Sequence, residues 1–445
     1  MPPKTQLSGV QILALGFAAI ILMGAALLTL PIASKDGISI PFINALFTAC
    51  SAACVTGLVV YDTFTQFTRF GQAVILLLIQ IGGLGFITMV AMFALFLGRR
   101  IGLRERVLLA ESFSCMQIGG MVRLVRRILI GAFFFEAVGA ILLSIRFIPE
   151  FGLARGLWFS VFHAVSAFCN AGFDLMGAKA PYSSLVSYAG DPLVSLTVAG
   201  LIIIGGLGFV VWGDVLDNGL HVRRYRLHTK VVLAASAILL ALGTALFLLL
   251  EHDNTLSGMD TGDKLIASFF QSVTPRTAGF NSIDMAALTQ GGLALMIALM
   301  IVGASPGSTG GGMKTSTFSV MLLALCASIR NREDTDVFRY RLDDALIRTA
   351  YRSAALYMMM YLLGAFILCA NGGFSLTDSL FEAASAIGTV GLSTGITREL
   401  NGVGKIVLAL LMYAGRLGSL TVFLAVARKN VSNKLRNAPG NIIIG

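Results

Sequence analysis

Charged residues are scarce in this chain. Asp, Glu, Lys and Arg together make up 13% of the 445 residues, whereas hydrophobic residues make up 56%. Soluble globular domains carry about 25% charged residues, so the composition indicates a protein whose solvent is lipid. Eight apolar runs, most of them near the ~20 residues that a spanning helix needs, predict an all-α polytopic membrane protein with eight spanning helices. The runs cover residues 10–32, 73–98, 128–145, 193–213, 231–250, 291–307, 354–370 and 406–427.

Cysteine and histidine are also few and scattered. The 6 cysteines show no Cys-x-x-Cys spacing, and the 4 histidines do not cluster with them. Short cysteine spacings and mixed Cys/His clusters are the usual sequence signals of disulfide frameworks and zinc sites. We therefore expect neither a disulfide nor a metal site of Cys and His ligands, and no covalently bound cofactor.

Two motifs that are typical of enzymes occur without their context. Residues 303–307 match the Gly-x-Ser-x-Gly pattern of hydrolases, but no strand, histidine or acid partner accompanies them. The run 307–315 resembles a phosphate-binding loop but lacks the adjacent Gly-Lys pair and the preceding strand. The sequence therefore does not predict an enzyme.

The basic residues behind the net charge of +10 are concentrated in particular connections between the predicted spans. Most Lys and Arg lie at Lys4, in the segments 98–127, 214–230 and 330–352, and in the tail after residue 427. These segments are alternate connections between the predicted spans, and basic residues concentrate in cytoplasmic connections. We expect both termini to be cytoplasmic and the protein to lie in a bacterial inner membrane. Nucleic acid is not an expected partner.

A motif recurs four times at a nearly constant spacing. Each copy is a short apolar segment that runs into a glycine, with a phenylalanine ten residues before that glycine and small residues between them. The short segments are about 41–53, 156–168, 264–274 and 376–387, and the glycines are Gly57, Gly172, Gly279 and Gly391. The sequence IGGLGF also occurs at both 81–86 and 204–209, with GRLGSL at 415–420 as a degenerate copy. We predict four repeats, 1–100, 101–218, 219–335 and 336–430, followed by a tail, 431–445.

The repeat predicts a helix, a re-entrant half-helix, an extended loop and a second helix. Non-helical backbone at membrane depth is tolerated only where it is buried in protein or lines water. A half-helix that ends before the glycine directs its negative C-terminal dipole at the loop, which favours a cation there. Main-chain carbonyls in such loops can replace an ion's hydration shell. The sequence therefore predicts a central cation path formed by four loops. Their backbones supply the candidate site: Cys54, Val55, Thr56 and Gly57; Cys169, Asn170, Ala171 and Gly172; Arg276, Thr277, Ala278 and Gly279; Gly388, Thr389, Val390 and Gly391.

The loops CVTGL, CNAGF, RTAGF and GTVGL, together with the IGGLGF helices, resemble the Trk/Ktr/HKT superfamily of potassium transporters. The stretch TPRTAGFNS is most similar to the membrane subunits of Ktr systems. The resemblance implies potassium as the substrate, a homodimer, a sodium requirement, and regulation by a cytosolic RCK ring that binds ATP, ADP or NAD. The apolar run Ile442, Ile443 and Ile444 predicts that the tail lies at the dimer interface. Four glycines at the filter imply a preference for potassium over sodium.

The third repeat contains a polar interruption at 303–316. Its glycines and Pro306 prevent a continuous helix, whereas the sequence predicts uninterrupted second helices in the other repeats. The resemblance implies an intramembrane gating loop here. Arg416, in an apolar run at the place of Gly83 and Gly206, is expected to constrict the same path, because intramembrane charges usually face a cavity or a partner. The candidate gate residues are Ser305, Pro306, Gly307, Ser308, Thr309, Gly310, Gly311, Gly312, Lys314 and Arg416.

Two alternatives remain open from the residues alone. Broken helices also occur in alternating-access carriers, although these usually repeat in two halves rather than four. Glu136 and Glu382 lie in apolar surroundings, where a hydrogen-bonded structural role and a proton relay are both compatible with the sequence.

Overall fold

The structure, a computed structural model, describes residues 9–96, Gly102, Leu109 and residues 121–418. Its helices recur in the order long helix, short helix, extended stretch, second helix. Repeat 1 contains α1 (Gly9–Thr29), α2 (Phe42–Ala53), α3 (Thr63–Gln66), α4 (Arg69–Leu84) and α5 (Phe86–Phe96). Repeat 2 contains α6 (Met121–Phe151), α7 (Leu153–Phe168), α8 (Pro192–Gly206) and α9 (Phe209–Asn218). Repeat 3 contains α10 (Leu227–Glu251), α11 (Thr261–Val273), α12 (Gln290–Ile301) and α13 (Thr315–Ile329). Repeat 4 contains a hairpin of β1 (Asp336–Val337) and β2 (Tyr340–Arg341), then α14 (Asp344–Gly372), α15 (Leu376–Gly388) and α16 (Gly402–Leu417). Short 3-10 helices lie at Pro31–Ala33, Met176–Ala178, Val186–Tyr188, Val222–Arg224, Met285–Ala287 and Ile396–Arg398.

In each of the long helices α1, α6, α10 and α14, a third or less of the apolar stretch is buried in the protein. Within the described residues these 4 helices are apolar and long enough to cross a membrane, and the number rises to 6 if each of two bent helix pairs is one span. The second helices of repeats 3 and 4, α12 with 12 residues and α16 with 16, are shorter than the predicted spans. The structure is therefore a mostly helical membrane fold, with fewer full-length spans than the eight predicted.

The short helices occupy the predicted short segments and pack against the long helix of their own repeat. The recurring phenylalanine anchors three of them, because Phe47, Phe162 and Phe381 are fully buried. In repeat 3 the recurring Phe269 is only partly buried, and its neighbour Phe270 is buried instead. The core of the protein therefore surrounds the short helices and the extended stretches that follow them.

Each second helix begins at a polar side chain that caps its first turn. The oxygen of the capping residue accepts a hydrogen bond from a backbone N–H two or three residues later, which satisfies an amide that lacks a partner within the helix. This arrangement occurs in all four repeats and fixes where the chain turns back from the extended stretch. The caps are Thr68, Asp191, Thr289 and Asn401.

The second helices of repeats 1 and 2 are sharply bent, so the prediction that only repeat 3 is interrupted is wrong. The bend between α4 and α5 is 98°, and that between α8 and α9 is 94°. Both occur at the third glycine of IGGLGF, where Gly85 has φ 86° and Gly208 has φ 96°. Only glycine adopts such angles without steric cost. Gly418, with φ 90°, ends α16 at the equivalent position.

Candidate functional site

The four recurrent glycines form a closed ring. A Cβ atom added to Gly57 would lie 2.6 Å from the carbonyl oxygen of Ala171, and one added to Gly172 would lie 2.7 Å from that of Ala278. Cβ atoms on Gly279 and Gly391 would press on the oxygens of Val390 and Thr56 in the same way. Each repeat thus contacts the next, and the fourth contacts the first. The extended stretches of the four repeats converge in cyclic order around one axis.

The residue before each ring glycine donates its backbone N–H to a carbonyl oxygen near the end of the preceding short helix. Thr56 N donates to Ser51 O at 2.8 Å, Ala171 N to Ser166 O at 2.7 Å, and Val390 N to Ser385 O at 2.8 Å. In repeat 3, Ala278 N donates to Thr274 O at 2.9 Å. The carbonyl oxygens before the ring glycines behave differently. Within the described part of the chain they accept no hydrogen bond, and they belong to Thr56, Ala171, Ala278 and Val390.

The backbone of each stretch contains two left-handed residues. The ring glycines have φ between 69° and 95°. Two positions before them, Val55, Asn170, Thr277 and Thr389 have φ of 57°, 59°, 76° and 51°. Positive φ is costly for branched residues, so its recurrence at valine, asparagine and threonine indicates that the conformation itself is required. Left-handed residues alternating with other conformations allow carbonyls to point repeatedly to one side.

The serine six residues before the glycine supports the ring in two repeats. Gly57 N donates to Ser51 Oγ at 3.1 Å, and Gly391 N donates to Ser385 Oγ at 3.0 Å. In repeat 2 the buried Ser166 hydroxyl has no partner in the structure, and repeat 3 has Val273 at this position. The recurrence of serine in the sequence thus reflects a hydrogen bond to the ring, although only two repeats form it.

A cavity of about 80 Å³ opens on one side of the ring. The residues two positions after the ring glycines line it in all four repeats: Val59, Asp174, Asn281 and Ser393. Asp62 also lines it, and its carboxylate accepts hydrogen bonds from Thr65 N at 2.7 Å and Tyr182 N at 3.0 Å. Our sequence reasoning missed these residues. The available signal was the polar side chain two positions after the glycine in three of four repeats.

Asp174 gives this cavity a charge that depends on pH. It lies outside the helices that could span a membrane, and burial together with the nearby Asp62 carboxylate raises the pKa of Asp174 to about 7. The group is therefore charged above pH 7 and neutral below it. A carboxylate about 4 Å from a cation contributes roughly 1 kcal/mol even in bulk water, which corresponds to about a fivefold change in affinity.

We predict that rubidium exchange at subsaturating concentration falls as pH is lowered from 8 to 6, because Asp174 loses its charge. Asp174→Asn should exchange slowly at both pH values and flatten the profile. Asp36→Asn, which removes an exposed carboxylate outside the cavity, serves as the matched control. An unchanged pH profile in Asp174→Asn, measured in proteoliposomes at fixed voltage, would contradict the role of this carboxylate.

The interrupted segment of repeat 3 lies on the opposite side of the ring. It separates α12 from α13, and backbone groups of repeats 2 and 4 hold it there. Ser305 N donates to Gly206 O at 3.1 Å, Thr309 N to Gly205 O at 3.2 Å, and Gly312 N to Gly415 O at 3.2 Å. Gly205 and Gly415 also lie directly beneath the C-terminal carbonyls of the short helices α7 and α15. The segment thus extends across the axis below the ring.

Two basic side chains donate hydrogen bonds to backbone carbonyls of this segment. Lys314 Nζ donates to Gly310 O at 2.8 Å. Arg416 donates to Thr309 O and to Gly82 O, and at 3.1 Å to Gly83 O. Gly82 and Gly83 belong to repeat 1, with which the segment forms no backbone hydrogen bond in the described part of the chain. Arg416 therefore connects the segment to repeat 1. The structure thereby brings the predicted gate residues 305–312, Lys314 and Arg416 together.

Three other buried charged groups bind polar side chains of the protein. Arg276 is 8% exposed, and its guanidinium donates to Ser236 Oγ at 2.9 Å, so its side chain points outward behind the loop as predicted. Glu136 accepts a hydrogen bond from Gln80 at 2.9 Å, and Glu382 accepts one from Ser393 at 3.1 Å and another from Thr397. Both carboxyls are thus hydrogen-bonded to neighbouring polar side chains.

This geometry can be compared with known proteins. The model of the TrkH family, described as cation transport protein, matches residues 9–437. The chain belongs to the TrkH family. It is 42% identical over 437 residues to the Ktr system potassium uptake protein B of Bacillus subtilis, covering 98% of this chain and 96% of the relative. It is 40% identical to the potassium/sodium uptake protein NtpJ of Enterococcus hirae, with 96% and 94% covered.

A solved structure of the TrkH family has the same fold. The chain superimposes on the potassium transporter TrkH of Vibrio parahaemolyticus with a TM-score of 0.75 at 17% sequence identity, covering 96% of this chain and 86% of the other. The superposition covers nearly the whole of this chain, so the two proteins share one overall fold. The family assignment indicates a multi-pass membrane transporter rather than an enzyme.

Proposed function

We propose that this protein is a potassium uptake transporter that selects potassium at the ring of four extended stretches. One observation carries the proposal: four carbonyl oxygens, those of Thr56, Ala171, Ala278 and Val390, lack hydrogen-bond partners in the described structure and alternate with four glycines around one axis. Relatives that the chain matches at 40% identity or more are named for potassium uptake. The ring would replace the hydration shell of a dehydrated cation.

The filter consists of the four backbone segments named above, from Cys54–Gly57 to Gly388–Gly391. Each follows a short helix whose negative C-terminal end favours a cation at the axis. Asp62 and Asp174 attract cations into the cavity on one side. On the other side, residues 305–312 with Lys314 and Arg416 form the gate, because they extend across the axis and place positive charge on the ion's path.

We further propose that sodium promotes uptake. Support comes from the family resemblance and from the Enterococcus hirae relative, which is named for both potassium and sodium. Uptake of radioactive rubidium by proteoliposomes, with potassium or sodium as competitor, tests ion preference. We expect potassium to compete strongly, and sodium to compete weakly while raising the rate. Equal competition by sodium and potassium would contradict selection at the ring.

The same topology supports a membrane arrangement. We propose eight crossings and four re-entrant half-helices, with both termini in the cytoplasm of a bacterium. The bent second helices and the short α12 and α16 would then need their following segments to complete a crossing. The basic connections 98–127, 214–230 and 330–352 would face a cytosolic RCK ring whose nucleotide, ATP, ADP or NAD, binds only to that partner. In the last connection the hairpin exposes Phe338 and Tyr340, at 49% and 53%.

The protein is also proposed to be a homodimer with its tail at the interface. Residues 431–445 lie outside the described residues, and the basis is the apolar run Ile442, Ile443 and Ile444, which is unfavourable in water. We predict that deleting residues 440–445, or replacing the three isoleucines by asparagine, abolishes cross-linking between subunits in detergent. A dimer that persists in both variants would place the tail elsewhere.

An alternating-access carrier is the second candidate. The broken helices favour it, because carriers use such helices at their binding sites. A carrier and a gated pore differ in the rate they reach once the gate is open. Rubidium flux in a gate-loop deletion that rises steeply and shows no saturation would support a pore, whereas flux limited to the wild-type turnover would support a carrier.

A further inference from the structure

The gate segment directly contacts a side chain of the filter. Gly311 N donates a hydrogen bond of 3.1 Å to the hydroxyl oxygen of Thr389. Thr389 is fully buried, follows the last residue of α15, and lies two positions before the ring glycine Gly391. A Cβ atom added to Gly311 would overlap the same hydroxyl oxygen of Thr389. The loop and the filter therefore share one hydrogen bond.

The adjacent repeat makes a related contact. The hydroxyl of Thr277, at the equivalent position of repeat 3, lies against the α-carbon of Gly310. Its oxygen is also 3.1 Å from the amide group of Asn170, the equivalent residue of repeat 2. Val55 occupies the position in repeat 1. Three of the four residues at this level are thus polar, and the loop packs against two of them.

The contact matters because Thr389 has an unfavourable conformation. A β-branched residue at φ 51° is disfavoured, and such residues persist only when the surroundings hold them. The bond from Gly311 fixes the Thr389 side chain and so contributes to the backbone angles that orient the carbonyls next to Gly391. Withdrawal of the loop would leave this buried hydroxyl without its donor.

We propose that the Thr389 hydroxyl couples the gate to the filter, so that the ring binds potassium more tightly while residues 305–312 occupy the path than after they leave it. This inference rests on the proposed function. Because coupling between two equilibria is reciprocal, potassium in the ring must also stabilise the loop in place. Opening would then lower the affinity of the ring and favour release of the ion on the loop side.

Hydrogen–deuterium exchange tests the reciprocal effect in the intact protein. The amides of Ser305, Thr309, Gly311 and Gly312 donate to groups outside the segment, so their exchange reports movement of the loop away from them. We expect potassium, compared with choline, to slow their exchange in the wild type by about five- to tenfold, the lower part of the range of measured couplings. Potassium that raises the melting temperature of the wild type but leaves loop exchange unchanged would overturn the coupling.

Variants at one position separate the coupling from simple stabilisation. Thr389→Val keeps the side-chain shape but removes the acceptor, so potassium should still raise its melting temperature while the protection of the loop disappears. Its KM for potassium should rise together with its maximal rate. Thr389→Ser should restore both. Thr88→Val, which removes a buried hydroxyl that has no partner in the structure, is the matched control and should retain full protection.

The results distinguish a failure of the coupling proposal from a failure of the filter proposal. Equal protection by potassium in Thr389→Val and in the wild type would reject the coupling and leave the filter proposal standing. Absence of any potassium effect on the wild-type melting temperature would reject the filter proposal and, with it, the coupling.

Discussion

Gly172→Ala is expected to weaken discrimination between potassium and sodium strongly. The added methyl group would lie 2.7 Å from the carbonyl oxygen of Ala278, far inside normal contact, so the next repeat in the ring must move. Overpacking of this kind costs typically 1–3 kcal/mol. Potassium recognition depends on the position of this oxygen, so we expect the potassium-to-sodium ratio of rubidium competition to fall by roughly five- to a hundredfold.

The control for this variant separates the ring contact from the backbone angle. Gly37 has φ 66°, close to the 69° of Gly172, but a methyl group there would meet nothing within 4 Å. Gly37→Ala therefore carries a similar backbone penalty of about 1–2 kcal/mol without touching the ring. It should lower thermal stability and leave ion preference unchanged. A loss of selectivity that is equal in both variants, or absent from both, would contradict the ring.

Arg416→Ala is expected to raise maximal potassium flux while selectivity is retained. The arginine donates to carbonyls of Thr309, Gly82 and Gly83, and it is the link between the gate segment and repeat 1. Hydrogen bonds to charged groups contribute about 1.5–3 kcal/mol, so losing one should increase the open population by roughly tenfold or more. The variant also removes a repulsion of roughly 4 kcal/mol on a cation at about 4 Å, for an effective dielectric constant near 20.

Three further variants test this prediction: a conservative substitution, a loop deletion and a control. Arg416→Lys keeps the charge but cannot bridge the loop to repeat 1, so its flux should be intermediate. Deleting residues 308–311 should raise flux at least as much as Arg416→Ala. Arg127→Ala removes an arginine from an exposed ion pair with Asp217 and should behave as wild type. Unchanged flux in both Arg416→Ala and the loop deletion would mean that this segment is not the gate.

The fourfold pattern could be predicted from the sequence because it depends on residues only a few positions apart in the chain. Phenylalanine and glycine recur at fixed offsets in all four repeats, and serine recurs in three of them. These offsets determine both the short helices and the turns after them. Phe269 is the exception. It holds the expected place in repeat 3, yet the neighbouring Phe270 is the residue that is buried, because the neighbours of a helix decide which face it buries.

The bends at Gly85 and Gly208 were not predicted, although the IGGLGF motif was recognised. Consecutive glycines in an apolar run are compatible both with close helix packing and with a turn at positive φ. In the structure Gly82 and Gly205 pack under the ends of short helices, whereas the third glycine of each motif makes the turn. Which glycine takes which role depends on contacts between repeats, and a single repeat does not encode them.

The hydrogen bond between Gly311 and Thr389 could not be predicted from the sequence either, because it joins residues far apart in the chain. The sequence did predict each partner separately, Thr389 in a filter stretch and Gly311 in the interrupted segment. Their contact depends on the cyclic order of the repeats, which brings the segment from repeat 3 under the stretch of repeat 4. Asp62 and Asp174 reach the same cavity for the same reason.

Anomalous diffraction from crystals soaked in rubidium salts would test the ring most directly. The account predicts rubidium on the axis, coordinated by the carbonyl oxygens of Thr56, Ala171, Ala278 and Val390, and its loss when sodium replaces potassium and rubidium. Rubidium sites only in the cavity beside Asp62 and Asp174, with none coordinated by the four carbonyls, would contradict the account.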